Sequence, residues 1–344
     1  MPQRGNGPID HDPFAIPEEF DAVSFMRESA TAKAADTDTD IYPTRLPGRE
    51  ARAARVDPVV WRRRSEDRTL TKEQTERFRR DGFLVLTGLF ETAEMRALIE
   101  DGLALRDRAG ELPADEVITE PGLGPQDGPD AVRTVFRLDA HSALMRRLAE
   151  DRRLAGVARF LLGDEVYVHQ SRLNYKPGFT GRDFYWHSDF ETWHAEDGMP
   201  RMRALSASLL LTDNNALNGP LMLMPGSHRT FVGCKGATPD DNFRTSLKKQ
   251  EIGVPSHDAL TKLAAEYGIE AATGPAGTLV LFDCNVMHGS NGNITPNPRS
   301  NAFFVFNAVS NRLAAPFAAL KPRPDFLARR KPVRPIEISC GPIS

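Results

Sequence analysis

The sequence predicts an α+β chain in which helices come first and a double-stranded β-helix, a jelly-roll or cupin-like core, follows. Two textures and one absence carry that expectation. Between Thr71 and Leu162, apolar residues recur at helical spacing inside segments with recognisable caps. After Gly163 the chain breaks into short β-rich runs punctuated by Gly, Pro and Asn, the pattern of an antiparallel sandwich or barrel. No internal repeat is evident.

Residues 1–44 hold nine acidic residues against three basic ones, include the low-complexity stretch Thr37-Asp-Thr-Asp40, and show no apolar period. The first forty or so therefore read as a solvated, flexible acidic arm. Over residues 45–68 the balance reverses, with eight arginines against four acids. Such a run is usually solvated or paired within the fold, and a phosphate-binding arm is the less favoured reading. Regular structure starts at Thr71, which with Gln74 fits a capping box, and Asp81-Gly82 ends that helix. Phe83-Leu-Val-Leu86 is a short buried strand, and residues 92–108 form a second helix. A third helical region, residues 142–162, carries Leu144, Leu148, Leu154, Val157, Phe160 and Leu161 and closes at Gly163. Strands are expected at residues 166–175, 184–190, 205–212, 221–224, 278–282 and 301–309, with one helix at 256–268 inserted among them. The division that results is an arm over residues 1–40 and one domain over 41–344, helical over about 70–163 and jelly-roll over about 164–313.

Composition bounds the function without naming it. The 344 residues are 40% hydrophobic and carry a net charge of −3, which excludes global disorder and argues against a dedicated nucleic-acid binder. Cys234, Cys284 and Cys340 are too few and too scattered for a disulfide framework or a thiolate zinc site. The N-terminus shows no apolar signal region and no run approaches 18 apolar residues, so a cytoplasmic protein away from the membrane is expected.

The most informative segment is Phe184-Tyr-Trp-His187-Ser-Asp189-Phe-Glu-Thr-Trp193-His194. On a strand, His187 and Asp189 project from the same side, where an imidazole and a carboxylate can take neighbouring positions on one metal. His288, in Asp283-Cys-Asn-Val-Met-His288-Gly-Ser290, supplies a third ligand from a later strand end. Two histidines and one carboxylate leave three octahedral positions open, the arrangement of non-haem Fe(II) oxygenases. Alone, His-x-Asp is a weak signal; the residues around it strengthen it. If 2-oxoglutarate chelates the iron through its keto-acid end, its distal carboxylate needs a buried cation. Arg299, eleven residues after His288, suits this through its planar fork, and Ser290 adds a hydroxyl donor. Gln170, Arg172, Asn174 and Lys176 share one strand face, and Lys176 offers a second positive charge. Trp193, Phe282 and Phe303 read either as core or as walls of a small-substrate site. His194 is the weaker competing ligand, and Cys284 is assigned no role, because a reactive thiol beside ferrous iron is an oxidation liability.

The stretch over residues 184–200, ending Ala-Glu-Asp-Gly-Met-Pro200, resembles the ectoine hydroxylase branch of the phytanoyl-CoA dioxygenase family. So do Tyr42-Pro-Thr-Arg45, Asp81-Gly-Phe-Leu-Val-Leu86, Gly219-Pro-Leu-Met-Leu-Met-Pro-Gly-Ser-His-Arg229 and Asn285-Val-Met-His-Gly-Ser290. The resemblance runs from about Asp40 to about Leu313. It implies an Fe(II)- and 2-oxoglutarate-dependent dioxygenase that hydroxylates ectoine, a compatible solute of the stress response, to 5-hydroxyectoine, consuming O2 and releasing succinate and CO2. Carried over, it implies iron ligation by His187, Asp189 and His288, and 2-oxoglutarate contacts from Lys176, Asn174, Ser290 and Arg299. Ectoine contacts fall on Gln170 and Trp193, with Phe282 and Phe303 as walls, and a homodimer is the expected assembly. Ectoine itself rests on the resemblance alone.

Retention of Asp189 favours hydroxylation, because halogenating relatives of this architecture lack the carboxylate. Two rivals stand beside this reading: a related dioxygenase acting on another small zwitterion, such as an amino or imino acid, and a metal-holding jelly-roll protein without turnover. The second has no need of Arg299 and Lys176 beside an iron triad.

Overall fold

The computed structural model describes residues 40–48, 50–61, 69–120 and 131–343. The expected acidic arm, apart from Asp40, and the 62–68 end of the basic run lie outside the described residues. Within that run, Arg45 and Arg55 are paired inside the protein, with Glu191 and Glu196 and with Asp283 respectively, and Arg52 pairs with Glu266 at the surface.

Strand β1 (Ala51–Ala54) precedes helix α1 (Lys72–Asp81), whose Thr71–Gln74 capping box is formed in both directions. Gly82 ends α1 at φ 81, and its bare backbone lies so close to His228 that a Cβ would fall 2.4 Å from Nδ1. The chain continues through β2 (Phe83–Leu86), α2 (Thr92–Asp107), β3 (Val117–Glu120), β4 (Ala131–Phe136) and the single turn α3 (Leu138–His141). The third helical region is interrupted: α4 (Ala143–Glu150) and α5 (Val157–Leu162) are joined by a π-helical turn, Arg152–Gly156. Asp151 breaks the run because it is extended and its carboxylate caps Arg153 N–H at 2.7 Å.

Then follow β5 (Val166–Lys176), β6 (Phe184–His187), α6 (Asp189–Asp197), β7 (Ala204–Leu210), β8 (Leu221–Leu223) and β9 (Thr230–Gly233). The last stretch holds α7 (Phe243–Ser246), α8 (His257–Tyr267), β10 (Glu270–Ala272), β11 (Leu279–Asp283), β12 (His288–Ser290) and β13 (Arg299–Ala308). One expectation is overturned here. The strand read over 184–190 stops at His187, and Asp189 opens a helix. Asp189 and Glu191 sit in the first turn, where the helix dipole favours negative charge, and Gly198 closes the helix at φ 73.

The strands are antiparallel throughout. A seven-stranded sheet has the order β2-β11-β7-β13-β5-β4-β3, a four-stranded sheet the order β10-β8-β12-β6, and β1 pairs with β9. The helix-rich segment thus also gives β2, β3 and β4 to the larger sheet. Alternation along its central strands sorts two environments. Leu205, Ala207 and Leu209 of β7 join Leu279, Leu281, Phe304 and Phe306 and pack against α1, α2, α4 and α5 through Phe78, Leu98, Met145, Leu148 and Leu161. The opposite face carries Val280, Phe282, Phe303 and Val305, which pack with Leu223 and Ala272 of the smaller sheet and with Phe190 and Trp193 of α6. The site lies on this second face. Among the described residues no helix is long and apolar enough to cross a membrane.

Candidate active site

The ends of three elements bring the candidate metal-ligating side chains together. His187 is the last residue of β6, Asp189 the first of α6, and His288 the first of β12; His187 and His288 are register partners across β6 and β12. Ligand atoms of all three lie within 4.8 Å of one another. His187 Nε2 is 3.7 Å from Asp189 Oδ1, and His288 Nε2 is 3.8 Å from Asp189 Oδ2. The pair His187 and Asp189 therefore converges across a strand-to-helix junction, not by strand alternation.

Backbone carbonyls set the imidazole tautomers. His187 Nδ1 donates to Tyr185 O at 2.7 Å and His288 Nδ1 to Val286 O at 2.9 Å, which leaves both Nε2 lone pairs turned to the cluster. Burial, with His187 alongside, pushes the His288 pKa down to about 4, so it is neutral at pH 7. Burial raises the Asp189 carboxyl, but His288, His187 and the Arg172 cation outweigh it and hold the group well below the usual carboxylate range. Ser206 Oγ on β7 donates to Asp189 Oδ2 at 3.3 Å. Two imidazole nitrogens and one ionised carboxylate suit a ferrous ion. His194 stands apart: its Nδ1 faces Met199 O, its Nε2 faces Asp40, and its ring is stacked between Phe190 and Phe317.

Beside the cluster lies a small cavity of about 60 Å³ lined by three basic side chains, Arg172, Lys176 and Arg299, and by no carboxylate. Lys176 and Arg299 are register partners on β5 and β13. Lys176 Nζ donates to Ser290 Oγ at 2.8 Å and also to Asn291 O; Arg299 Nη1 donates to Gly219 O at 2.6 Å. With its amide oxygen turned toward Arg299, Asn301 accepts from Nη2 at 3.0 Å. Burial, together with the positive charges of Arg299 and Arg133, pushes the Lys176 pKa down to about 6, and burial lowers Arg299 to about 10. A lining of basic side chains without a carboxylate suits an anion. Asn174 accepts from Thr134 Oγ1 at 3.3 Å and lines the same space.

A larger cavity of about 540 Å³ shares His187, Arg172, Asn174 and Phe184 with the small one and adds Asp189, Gln170, Trp193, Thr192, Arg323 and the segment around residues 246–254. Gln170 Nε2 donates to Leu327 O at 2.8 Å, and its Oε1 accepts from Arg172. Arg323 is locked in a two-point pair with Asp197, at 2.8 and 2.6 Å. The structure thus brings His187, Asp189 and His288 together, sets Lys176, Ser290, Asn174 and Arg299 around the small cavity, and sets Gln170 and Trp193 on the large one. Phe282 and Phe303 line the small cavity instead, Phe282 4.9 Å from the His288 ring. Sequence reasoning missed Thr192 and Arg323 as lining residues. Thr192 was reachable from the helical reading of α6, three residues on from Asp189; Arg323 comes from an irregular segment with no local signal.

The phytanoyl-CoA dioxygenase family model matches residues 78–301. The ectoine dioxygenase of Sphingopyxis alaskensis is 55% identical over 305 residues, 88% of this chain and 97% of that protein. The ectoine dioxygenase of Halomonas elongata is 53% identical over 291 residues, 84% of this chain and 86% of that protein. The crystal structure of EctD from S. alaskensis with 2-oxoglutarate and 5-hydroxyectoine matches at a TM-score of 0.80 and 51% identity, covering 89% of this chain and 100% of that one. The same protein with bound Fe matches at a TM-score of 0.78 and 49% identity, with the same coverage.

Proposed function

The chain belongs to the phytanoyl-CoA dioxygenase family, and from that membership we propose that it hydroxylates ectoine to 5-hydroxyectoine, using Fe(II), 2-oxoglutarate and O2 and releasing succinate and CO2. One observation carries the reading: a His-Asp-His cluster stands between a carboxylate-free, cation-lined cavity and a larger cavity that can take a substrate. Two carbon-bound oxygen products share one O2: one atom enters succinate and the other the new hydroxyl group.

Iron with 2-oxoglutarate, when bound, supplies the oxygen activation and the C–H hydroxylation. His187, Asp189 and His288 hold the metal on one face, with the carbonyl-anchored imidazoles fixing the direction of their Nε2 atoms. Lys176, Arg299 and Ser290 receive the distal carboxylate of 2-oxoglutarate, a pairing that restores to Lys176 the proton that burial has driven off, and Asn174 adds an amide donor. Gln170 and Trp193 face the substrate from the larger cavity. Phe282 and Phe303 wall the inner side of the small cavity and exclude water there, so the reacting groups meet in position and away from solvent.

We also place the protein in the cytoplasm, where three free thiols persist, and as a homodimer without nucleic-acid or membrane partners; light scattering on the purified protein checks the assembly. The test of the main reading is anaerobic loading with Fe(II) and 2-oxoglutarate, followed by ectoine and O2 and mass analysis of the products. Equal yields of succinate and a product heavier than ectoine by one oxygen are expected. Succinate formation stimulated by proline and not by ectoine overturns the substrate; no succinate with any substrate supports a binding protein instead.

A further inference from the structure

Arg172 is a cation at the centre of the site to which no ligand has been assigned. Alternation along β5 places Gln170, Arg172, Asn174 and Lys176 on one face, and the cavities grade along it: Gln170 lines only the larger, Lys176 only the smaller, Arg172 and Asn174 both. Arg172 therefore stands at the seam, beside the metal cluster.

Its guanidinium is poorly matched by the protein itself. Among the described residues its hydrogen-bond partner is the neutral amide oxygen of Gln170, and its Cζ lies over the Phe303 ring, 4.1 Å from the centroid. Asp189 attracts it without forming an ion pair, because both Asp189 oxygens face other partners, His187 on one side and His288 and Ser206 on the other. Burial pushes the Arg172 pKa down to about 10. Arg323, in the same larger cavity, has its charge met by Asp197. Contact with Phe303 and Gln170 leaves other donors of the Arg172 guanidinium unused, and such a fork can take a carboxylate by two parallel hydrogen bonds.

We propose that Arg172 binds a ligand carboxylate at the seam, next to the metal, and so sets cosubstrate and substrate in register for the reaction. The proposal rests on the functional reading above. Two carboxylates can reach this place, the metal-side carboxylate of 2-oxoglutarate and the ring carboxylate of ectoine.

The test compares wild type, Arg172→Met and Arg172→Lys as anaerobic Fe(II)-loaded proteins. Calorimetry measures 2-oxoglutarate binding first and ectoine binding to the 2-oxoglutarate complex second, while iron content and thermal melting report the metal centre and the fold. A charge-assisted pair contributes enough that Arg172→Met weakens one of the two ligands roughly ten- to one-hundred-fold. Arg172→Lys, which keeps the charge and loses the fork, falls between. Loss for 2-oxoglutarate alone assigns the cosubstrate carboxylate; loss for ectoine alone assigns the substrate carboxylate; either supports the proposal. Both affinities within twofold of wild type overturn it. So does a parallel fall in both affinities, iron content and melting temperature, which marks Arg172 as structural. Failure of the wild type to bind either ligand overturns the functional reading instead.

Discussion

Lys176 makes 2-oxoglutarate binding depend on pH in a calculable way. Burial, then the charges of Arg299 and Arg133, hold its pKa at about 6 in the empty cavity, with Asp183 pulling weakly the other way. At pH 7.5 only ~3% of the protein then carries the ammonium form. A dicarboxylate that needs this ammonium must bring a proton in with it, so binding takes up about one proton per ligand. The dissociation constant rises about tenfold per pH unit above pH 6, until the pH reaches the higher pKa that Lys176 has in the complex. Calorimetry of the anaerobic Fe(II) protein at pH 6.0, 7.0 and 8.0, in buffers of different ionisation enthalpy, measures both quantities. Lys176→Met is the control, because it keeps His187, His288 and Asp189 and hence any pH dependence of the metal itself. Its affinity at pH 6 is expected to be roughly ten- to one-hundred-fold weaker than that of wild type, with the steep slope gone. Wild-type binding that is flat from pH 6 to 8 and takes up no proton refutes the reasoning.

Three further outcomes follow from the same structure. Asp189→Ala is expected to lose iron and hydroxylation together, measured by metal analysis and product formation; turnover at the wild-type rate refutes the ligand assignment. Glu94 accepts from Arg153 twice, at 2.8 and 2.9 Å, and from the backbone N–H groups of Glu91 and Ile343, and the Arg153 pairing above all pushes its pKa down to about 2. Its stabilising contribution is full above the ordinary value near 4.5 and is lost as pH falls through about 2, so Glu94→Gln should cost about 3 kcal/mol in urea unfolding at pH 7 and close to nothing near pH 2. Phe304, fully buried where the larger sheet meets the helices, should cost ~3–5 kcal/mol on change to Ala, and a loss below ~1 kcal/mol contradicts the packing of that face.

Local signals made much of this legible. Thr71, Gln74 and Gly82 bracket α1 because cap chemistry is written within a few residues, and Phe83–Leu86 reads as a strand because four apolar residues follow that cap. The grouping of His187, Asp189 and His288 beside Lys176 and Arg299 was legible because such residue types seldom cluster by chance. The helix α6 was not. Phe184, Trp186, Ser188 and Phe190 alternate in a way that suits a strand, and α6 is buried almost all round, so it shows none of the polar-against-apolar contrast that betrays a surface helix. Its true signals were Asp189, Glu191 and Gly198 at the two ends. Strands β3 and β4 escaped for another reason: they are short, and the pairing of β4 with β5 and of β3 with β4 holds them in place more than propensity does. Arg323 arrives on a tail whose path is set by tertiary contacts, so only the folded chain reveals it.

The polar load on α6 explains how nine residues can hold Asp189 in the His-Asp-His cluster and line the larger cavity at once. Asp189, Thr192, Trp193 and Glu196 line the larger cavity, and the charged and polar side chains from Glu191 on are tied to other parts of the chain. Glu191 meets Arg45 and Thr44, Glu196 meets Arg45 and Asn242, His194 meets Asp40, and Asp197 meets Arg323. Buried ion pairs contribute little net stability, because desolvation offsets most of their attraction, but they tolerate little displacement once formed. Arg45 is the strictest of them: it spans Glu191 and Glu196, five residues apart, and a rotation or slide of the helix breaks one contact or the other. Hydrophobic packing by Phe190 and Trp193 alone would leave α6 free to slip, carrying Asp189 off the two imidazoles whose directions the backbone has already set. The charges therefore fix the register of the helix, and through it the position of Asp189, the one member of the His-Asp-His cluster that does not come from a strand.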